Sequence, residues 1–320
     1  CLMGVSVVIP NYNGEKYIKK CLDSLLNQSL EPDEIIIVDN KSTDGSLELI
    51  NSEFRDNVYI ISLEKNTGFS VAVNEGIRAS NSEFVALLNN DTEVDKDWLK
   101  ELYAVIQKDS SIFSCCSKMI RYDNRNIIDD AGDEYSILGW SFKRGDGRTI
   151  DKYNKTEEVF SSCAGAAIYR KSIINKIGYF DEKFFAYLED MDISYRARSF
   201  GYKNYYAHKA KVYHIGSATS GSRHNSFKVR LAARNNIFLI YKNMPIIQLI
   251  INSPFILLGM LIKAIYFTLK GLGKSYILGI KDGIVGIKNV DKVRIKNNIK
   301  NYLKVELELF KNTINLFKRG

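Results

Sequence analysis

Cysteine, proline and histidine are scarce in this sequence, with five, four and three copies among 320 residues. The cysteines are odd in number and include no C-x-x-C pair, which argues against a disulfide framework or a zinc site and favours a reducing compartment. With so few prolines and 45% hydrophobic residues, the composition excludes a disordered or collagen-like chain. It predicts one large or two smaller domains with a sizeable core.

Glycine-rich phosphate-binding loops are also absent. The first apolar run is followed by the turn PNYNGEK, which contains one glycine. A dinucleotide-binding protein needs G-x-G-x-x-G at this point and a P-loop protein needs G-x-x-x-x-G-K-[ST], so both classes are disfavoured. A diphosphate would then have to be neutralised in another way, and a metal ion held by carboxylates is the natural substitute.

Charge is distributed unevenly along the chain. Residues 1–220 contain 27 Lys and Arg against 33 Asp and Glu (net −6), whereas residues 221–320 contain 18 against 4 (net +14). An acidic body with a basic, apolar tail favours an enzyme on an anionic membrane and disfavours a nucleic-acid-binding protein. We predict a catalytic region over residues 1–222 and a helical, basic, membrane-associating region over residues 223–320. The N-terminus lacks the pattern of an export leader, which predicts a cytoplasmic protein, peripheral on the inner face of the cell membrane.

Short β-branched runs alternate with amphipathic stretches in the first part of the chain. The runs are typical of buried strands and occupy residues 5–9, 34–38, 58–63 and 84–88. The stretches between them are typical of helices and occupy residues 16–28, 46–54 and 69–79. This alternation predicts an α/β fold with a mostly parallel sheet flanked by helices. Because ligands bind beyond the carboxyl ends of such strands, functional residues are expected at 10–15, 39–44, 65–68 and 89–91.

The motif Asn89-Asn90-Asp91 follows the fourth apolar run. One carboxylate and two amides at a strand end offer the hard oxygen ligands that Mg²⁺ or Mn²⁺ prefers. The alternative is an Asx turn leading into a helix that starts near Asp95.

A second acidic group, Glu189, Asp190 and Asp192, lies at the start of a predicted helix. The positive end of the helix dipole keeps carboxylates ionised there, so one of them could accept a proton from a sugar hydroxyl. The alternative is ordinary acidic capping of the helix. His214 closes a strand-like run and could supply a ring nitrogen to a metal, although a single histidine is also common in a structural role.

Taken together, these motifs resemble the family-2 glycosyltransferases, which are inverting, nucleotide-sugar-dependent enzymes of the GT-A (Rossmann-like) fold. The resemblance covers residues 5–220 and rests on VSVVIPNYNGEKYIKKCLDSLLNQ, VDNKSTDGS, NTGFSVAVNEGI, LLNNDTEV and GYFDEKFFAYLEDMDISYRARSFGY. The last block and the following HIGSAT are most similar to rhamnosyltransferase-like members, which use dTDP-L-rhamnose to extend cell-surface polysaccharides. The resemblance therefore implies transfer of a sugar, most simply L-rhamnose, to a lipid-linked or saccharide acceptor.

The resemblance also implies roles for individual residues. Asp190 would be the catalytic base and Glu189 would orient it or contact the acceptor. The metal-binding D-x-D of the family aligns with Asn89-Asn90-Asp91, so Asp91 would bind the metal and the uncharged Asn89 would contribute less. Tyr12 would stack on the base and Asp39 would accept a hydrogen bond from a pyrimidine ring. The complete set of implied nucleotide-binding residues is Pro10, Tyr12, Glu15, Asp39, Asn66, Gly68, Asn74 and Asn90.

The basic tail contains 20 uncharged residues between Lys242 and Lys263, a length that could cross a bilayer, although Pro245 and Pro254 are expected to interrupt a helix. Six lysines further along have helical spacing and are predicted to form one stripe toward lipid phosphates: Lys263, Lys270, Lys274, Lys281, Lys288 and Lys292. The alternatives are a solvated helical face packed on the catalytic region, or close helix packing at Gly279 and Gly283.

Two other function classes agree less well with the sequence. A non-catalytic nucleotide-sugar-binding module is suggested by the asparagine at the first metal position, but the intact Glu189-Asp190 pair argues against it. An NAD-dependent oxidoreductase is disfavoured because the glycine signature is missing. Within the transferases, a UDP-hexose donor is the alternative to dTDP-L-rhamnose.

Overall fold

The computed structural model describes residues 4–216, 225–293 and 299–319. Its first seven elements alternate strand and helix, as predicted: β1 (Val5–Asn11), α1 (Ile18–Leu26), β2 (Glu34–Asp39), α2 (Ser46–Glu53), β3 (Tyr59–Ser62), α3 (Phe69–Ala79) and β4 (Phe84–Leu88). The four strands are parallel and lie in the order β3-β2-β1-β4. Their carboxyl ends therefore share one edge of the sheet, and the residues that follow them lie side by side.

The second part of the sheet is mixed. The chain continues through β5 (Thr92–Val94), α4 (Trp98–Ile106), β6 (Ile112–Arg121), β7 (Ile128–Asp130), β8 (Asp133–Tyr135), β9 (Ser141–Lys143), β10 (Glu157–Val159), β11 (Ala166–Arg170), α5 (Lys171–Ile177), a 3-10 helix (Glu182–Phe184), α6 (Glu189–Ser199) and β12 (Lys203–His214). Strands β8 and β9 form a separate two-stranded sheet. The ten-stranded sheet has the order β10-β12-β6-β11-β4-β1-β2-β3, with β5 and β7 attached to β12 and β6. The helix predicted near Asp95 begins at Trp98, because β5 lies between Asp91 and α4.

Side chains of the central strands alternate between two buried faces. On β1, Val7 and Ile9 pack in the core that includes α1 and α4, while Val8 packs in the core that includes α3. All three side chains are fully buried. A strand that is covered on both faces needs apolar residues at consecutive positions, which explains the run VSVVI.

The C-terminal region is helical, as predicted. It contains α7 (Ser226–Asn243), α8 (Ile246–Leu269), α9 (Gly273–Gly286), a short 3-10 helix (Ile287–Asn289) and α10 (Ile299–Arg319). The predicted boundary between residues 222 and 223 lies outside the described residues. The helices share a core with the first part of the chain, in which Tyr135, Phe160 and Tyr195 pack together with Leu239 and Val305.

Two expectations for these helices are wrong. The six lysines do not form one stripe, because the chain turns at Gly271 (φ 73°) between α8 and α9, which separates Lys263 from Lys274. Pro254 does not interrupt α8. The carbonyl of Ile250, which would bond to a backbone N–H at position 254, accepts the Ser253 hydroxyl at 3.0 Å instead.

The close packing considered for Gly279 and Gly283 is confirmed. A Cβ at Gly279 would lie 2.2 Å from the carbonyl oxygen of Arg230, and one at Gly283 would lie 2.6 Å from Cβ of Ile237. Both contacts are on α7. The two glycines therefore allow α9 to approach the backbone of α7 closely.

Candidate active site

The ends of β1, β2 and β4 are joined by hydrogen bonds through Asn11, a buried residue that lies in the expected range 10–15 but was given no role of its own. Its Nδ2 donates to Oδ1 of Asp39 at 2.9 Å and to Oγ of Ser46 at 3.0 Å, and its Oδ1 accepts from Nδ2 of Asn90 at 2.8 Å. The structure thus brings the predicted residues Asp39 and Asn90 together. A polar residue at the end of an apolar strand was the signal that could have identified Asn11.

The turn after β1 requires glycine at position 14. A Cβ there would lie 2.3 Å from both Oδ1 of Asn11 and Nδ2 of Asn90. The next residue, Glu15, donates its backbone N–H to Asp44 at 2.9 Å. Pro10 and Tyr12, on either side of Asn11, are half-buried. The predicted residues 10–15 therefore form the last two residues of β1 and the turn that follows it.

A second loop follows β3 and contains the predicted residues Asn66 and Gly68. Oδ1 of Asn66 accepts from the backbone N–H of Gly68 at 3.0 Å. Asn40, after β2, holds the loop, because its Nδ2 donates to the carbonyl of Gly68 at 3.0 Å and its Oδ1 accepts from the N–H of Thr67 at 2.8 Å. Gly68 has a φ of 86° and lies against Phe185, so this loop reaches the segment that precedes α6.

Asn74 has a different position from the one implied for a nucleotide-binding residue. It is buried on α3, where its Nδ2 donates to the carbonyl of Phe180 at 2.8 Å and its Oδ1 accepts from the N–H of Phe180 at 3.1 Å. Its amide is already bonded on both sides to a backbone segment. Asn74 therefore holds the approach to α6, and the structure does not bring its side chain to the loops that follow β1 and β2.

Asp91 and His214 lie together, as the metal prediction requires. Oδ1 of Asp91 is 3.5 Å from Nε2 of His214, and β5 pairs with β12 so that Thr92 faces His214. The other ring nitrogen, Nδ1, is 2.8 Å from Oδ2 of Asp129. Although burial opposes protonation, the contacts with Asp129 and Asp91 raise the pKa of His214 to about 9. Asp129 was not predicted, because it lies 85 residues from His214 in the sequence.

This arrangement fits a divalent cation. A metal-binding histidine commonly donates one ring N–H to a carboxylate, which fixes its orientation and leaves the other nitrogen free for the metal. Here Asp129 is positioned to accept from Nδ1, and Nε2 faces the Asp91 carboxylate. The side-chain amide of Asn89 lies beside Gly165.

Asp190 lies near the other side of the Asn89-Asn90-Asp91 motif. Oδ2 of Asp190 accepts from the N–H of Ala164 at 3.3 Å, and the adjacent carbonyl of Gly165 accepts from the N–H of Asn89 at 2.9 Å. Asp190 and the motif thus bond to two neighbouring residues, Ala164 and Gly165. Burial raises the pKa of Asp190, although hydrogen bonds from backbone N–H groups oppose the shift.

The segment before α6 is strained. Phe185, Tyr187 and Leu188 have φ values of 64°, 71° and 68°, in the region that disfavours residues with a side chain. Nδ2 of Asn235, on α7, lies 2.9, 2.8 and 2.7 Å from the carbonyl oxygens of Phe184, Ala186 and Tyr187. Each left-handed residue of this kind costs on the order of 1–3 kcal/mol, so this buried amide is a main support for the start of α6.

Further carboxylates that sequence reasoning missed surround the site. Ligand atoms of Asp130, Asp133 and Cys163 lie within 4.8 Å of one another. Nζ of Lys143 is 3.0 Å from Asp129 and 3.9 Å from Asp130. Burial, together with Asp129 and Asp190, raises the pKa of Asp130. The acidic run IDDAGD, at residues 128–133, was the sequence signal that could have identified these aspartates.

Glu189 and Asp192, grouped together in the sequence, have different environments. Glu189 is buried, and its Oε2 has no hydrogen-bond partner among the described residues. Burial and the charge of Asp190 raise the pKa of Glu189 well above its usual value. Asp192 is bonded to Arg196, Lys242 and Asn243, on the side of α6 that faces α7, and is a structural residue.

Comparisons with known proteins agree with this geometry. The chain is 34% identical over 152 residues to TuaG of Bacillus subtilis (strain 168), a glycosyltransferase named for teichuronic acid biosynthesis, and the alignment covers 47% of this chain and 51% of TuaG. The chain thus spans about half the length of this relative.

Two solved structures share the fold. The crystal structure of S. aureus TarS 1-349 in complex with UDP-GlcNAc has a TM-score of 0.59 and 22% identity, over 95% of this chain and 91% of that one. The structure of GalNAc-T7 with UDP, GalNAc and Mn²⁺ has a TM-score of 0.61 and 18% identity, over 75% of this chain and 48% of that one.

These likenesses confirm the predicted GT-A-type fold, with a mixed sheet and flanking helices. The sequence comparison is more specific, because the family model of glycosyl transferase family 2 matches residues 6–178, more than half of the chain. The protein belongs to glycosyl transferase family 2.

Proposed function

We propose that the protein transfers a sugar from a nucleoside diphosphate sugar to a hydroxyl group of a lipid-linked or saccharide acceptor, with inversion, in the synthesis of a cell-surface polysaccharide. The observation that carries this proposal is the position of Asp190. Its carboxylate bonds to Ala164, and the Asn89-Asn90-Asp91 motif bonds to the next residue, Gly165. Family membership and the resemblance to TuaG support the polysaccharide context.

The nucleotide would occupy the two loops that follow β1 and β3. Tyr12 would stack on the base, and Asp39 would accept a hydrogen bond from the pyrimidine N–H. Oδ1 of Asp39 is fixed by Asn11 and Ser42, and Oδ2 accepts from the N–H of Ser42 at 3.0 Å. A carboxylate held in this way has one orientation, which favours recognition of uracil or thymine over cytosine. The remaining residues of this pocket would be Pro10, Glu15, Asn66, Gly68 and Asn90.

Asp91 and His214 would hold the divalent metal, Mg²⁺ or Mn²⁺. When bound, the metal would supply positive charge to the diphosphate leaving group. Asp129 orients the His214 ring for this role through Nδ1. The neutral Asn89 adds no charge, so this metal is expected to be held more weakly than by two carboxylates.

Asp190 would act as the base. In this step its carboxylate takes the proton of the acceptor hydroxyl, the hydroxyl oxygen forms a bond to the anomeric carbon, and the bond from that carbon to the diphosphate oxygen breaks on the opposite face. The configuration inverts, and the proton remains on Asp190. A raised pKa suits this role, since a general base works best when its pKa approaches the working pH.

The most specific form of the proposal is transfer of L-rhamnose from dTDP-L-rhamnose, by a protein that is peripheral on the inner face of the cell membrane. The rhamnose assignment rests on the resemblance of residues 178–202 and of HIGSAT, whose residues 217–219 lie outside the described residues. The membrane assignment rests on the net charge of +14 in residues 221–320. A UDP-hexose donor is the alternative.

A donor screen tests the proposal. The full chain would be mixed with an acceptor extract and with dTDP-L-rhamnose, UDP-glucose, UDP-GlcNAc or NAD, and release of nucleoside diphosphate would be measured. We expect release from one donor only, its loss on addition of EDTA, and its recovery with excess Mn²⁺. Binding of a nucleotide sugar without release would support the non-catalytic module and contradict the proposal.

A further inference from the structure

Helix α10 carries an apolar stripe on its outward side. At about 100° per residue, six exposed apolar residues fall within an arc of roughly 80°. They are Ile299, Leu303, Leu307, Phe310, Ile314 and Phe317. The buried residues Val305, Leu309 and Asn312 lie on the other side of the helix. A surface helix of a soluble protein normally shows the opposite arrangement, with its polar face outward.

Four exposed lysines line one margin of this stripe. Lys300, Lys304, Lys311 and Lys318 fall between roughly 60° and 100° from the centre of the stripe on the same helical projection. Helix α8 lies at the other margin, since Oε2 of Glu306 accepts from Nε2 of Gln248 at 2.7 Å and from Nδ2 of Asn252 at 2.9 Å.

Helix α8 is apolar on its own outward side. Residues 246–262 contain no charged side chain. The buried residues Gln248, Asn252, Ile256 and Gly259 form one stripe toward the body of the protein. The exposed apolar residues occupy the opposite side and include Ile247, Ile250, Leu258, Leu261, Ile265 and Leu269. Helices α8 and α10 are joined by the bonds of Glu306 to Gln248 and Asn252, and we call their two outward faces together the apolar face.

The chemistry of the apolar face favours a membrane as its occupant. The exposed side chains of α8 include no acidic residue, and the open margin of the face carries the four lysines of α10. A second copy of the chain would bring the same lysines and the same charge. An anionic bilayer supplies both the apolar phase and the opposite charge.

The connections of α8 favour a helix that lies in the bilayer surface. Helix α8 is long and apolar enough to cross a membrane, with 22% of its most apolar window buried. Both of its ends return to α7, however, because α7 leads into α8 and α9 packs along α7 after the turn at Gly271. Helix α7 is itself held to the catalytic region by Asn235 and Lys242. A spanning helix would separate these two ends.

We propose that the apolar face lies in the interfacial region of an anionic bilayer and fixes the height of the active site above it. The hairpin of β8 and β9 links the two. Nδ2 of Asn312 donates to the carbonyl of Tyr135 at 3.1 Å, and Nε1 of Trp140 donates to the carbonyl of Gly259 at 3.1 Å. The first residue of the same hairpin, Asp133, belongs to the carboxylate cluster near Asp190.

The role of this link rests on the proposed function, because only a lipid-carried acceptor benefits from a fixed height. The binding of the membrane itself does not depend on that function. An acceptor hydroxyl held at a constant distance from the lipid headgroups would meet Asp190 by diffusion along the membrane. This raises the effective concentration of the hydroxyl at Asp190.

Sedimentation of the full chain with lipid vesicles tests the inference. The vesicles would contain phosphatidylglycerol with phosphatidylcholine, or phosphatidylcholine alone. We expect the double variant Leu307→Glu, Phe310→Glu to weaken binding to both vesicles by about tenfold or more, because two charges enter the apolar phase. Lys304→Gln, Lys311→Gln should weaken binding only to the anionic vesicles. Tyr59→Glu, an exposed aromatic residue on the edge strand β3, is the matched control and should bind like the parent protein.

Three results would overturn the inference. One is unchanged vesicle binding of the Leu307, Phe310 variant. Another is a parent dimer in light scattering that this variant converts to a monomer. The last is a parent protein that stays in the membrane through alkaline extraction, as a spanning helix does. Circular dichroism would check that each variant is folded. Release of nucleoside diphosphate without vesicles reports on the proposed function separately, so its absence with intact vesicle binding would refute that function alone.

Discussion

The two sides of the first turn of α6 differ sharply in electrostatic environment. Toward α7, Asp192 accepts from Arg196 at 2.9 Å, Lys242 at 3.0 Å and Asn243 at 2.8 Å. Although burial opposes it, the Arg196 and Lys242 charges lower the pKa of Asp192. Toward the sheet, Glu189 and Asp190 form no ion pair with a described residue, and burial raises the pKa of each.

The helix dipole cannot explain this difference, because it acts on all three carboxylates within one turn. The neighbouring charges decide it, namely Arg196 on α6 itself and Lys242 on α7. An ionised Asp192 is a stabilising structural group, whereas Glu189 and Asp190 are held in a state that costs stability and suits proton transfer. The contacts that each acidic residue at a helix start makes with other elements therefore have to be known before a catalytic or structural role is assigned to it.

The largest expected effect is on catalysis and comes from Asp190→Asn. Loss of a positioned base lowers turnover by roughly 10²- to 10⁴-fold. The change is isosteric and removes a charge that is already unfavourable, so donor affinity and thermal stability should be retained. Turnover would be followed by release of nucleoside diphosphate, and donor affinity by calorimetry. Turnover near that of the parent protein would refute the assignment of Asp190 as the base.

The next largest effect is on folding and comes from Asp192→Asn. Removal of one partner from a buried ion pair typically costs about 3–5 kcal/mol, because Arg196 would remain buried without this counter-charge and Lys242 would keep only Asp181. Urea unfolding would measure the free energy. Since the folded pKa of Asp192 is lowered, its contribution is present above the unfolded pKa and is lost as the pH falls through the folded pKa. The difference between parent and variant should therefore shrink in acid. A loss below about 1 kcal/mol would show that the network is worth no more than a surface pair.

The smallest effect has the opposite sign and comes from Glu189→Gln. Burial of a carboxylate with an unpartnered oxygen costs stability, and an amide of the same shape is neutral, so we expect a gain of about 0.5–1 kcal/mol near neutral pH. Because the folded pKa of Glu189 is raised, the parent loses stability as the pH rises above the unfolded pKa. The gain should thus widen between pH 5 and pH 8 in thermal unfolding curves. A gain that does not change with pH would contradict the assigned environment of Glu189.

Much of the fold was predictable from the sequence, because strands covered on both faces leave unbroken apolar runs and the helices between them leave amphipathic ones. The same periodicity located the loops after β1, β2, β3 and β4. It could not identify Asn11 as the residue that joins Asp39 to Asn90, since that contact depends on the lateral order of three strands.

The partners of the remaining site residues were beyond sequence reasoning. Asp129 meets His214 only because β7 and β12 both pair with β6. Asn74 was assigned to the nucleotide, but its amide is used by Phe180, which lies 106 residues away. The lysine spacing predicted one helix, but the chain turns at Gly271 and α9 ends at Gly286, so the six lysines lie on separate elements. Contacts of this kind depend on how elements distant in the sequence pack together, and the spacing of residues within one segment does not predict them.

The bond between Asn235 and the backbone before α6 bears on how this enzyme can change over time. Phe185, Tyr187 and Leu188 have left-handed torsions, and the Asn235 amide supports this segment by donating to the carbonyls of Phe184, Ala186 and Tyr187. Under the two proposals above, the C-terminal helices would therefore support the position of Asp190 and also attach the protein to a membrane. If these helices were exchanged between related enzymes, both the membrane attachment and the position of α6 would change. The position of α6 would be kept only if the new helices carried an asparagine at the same place.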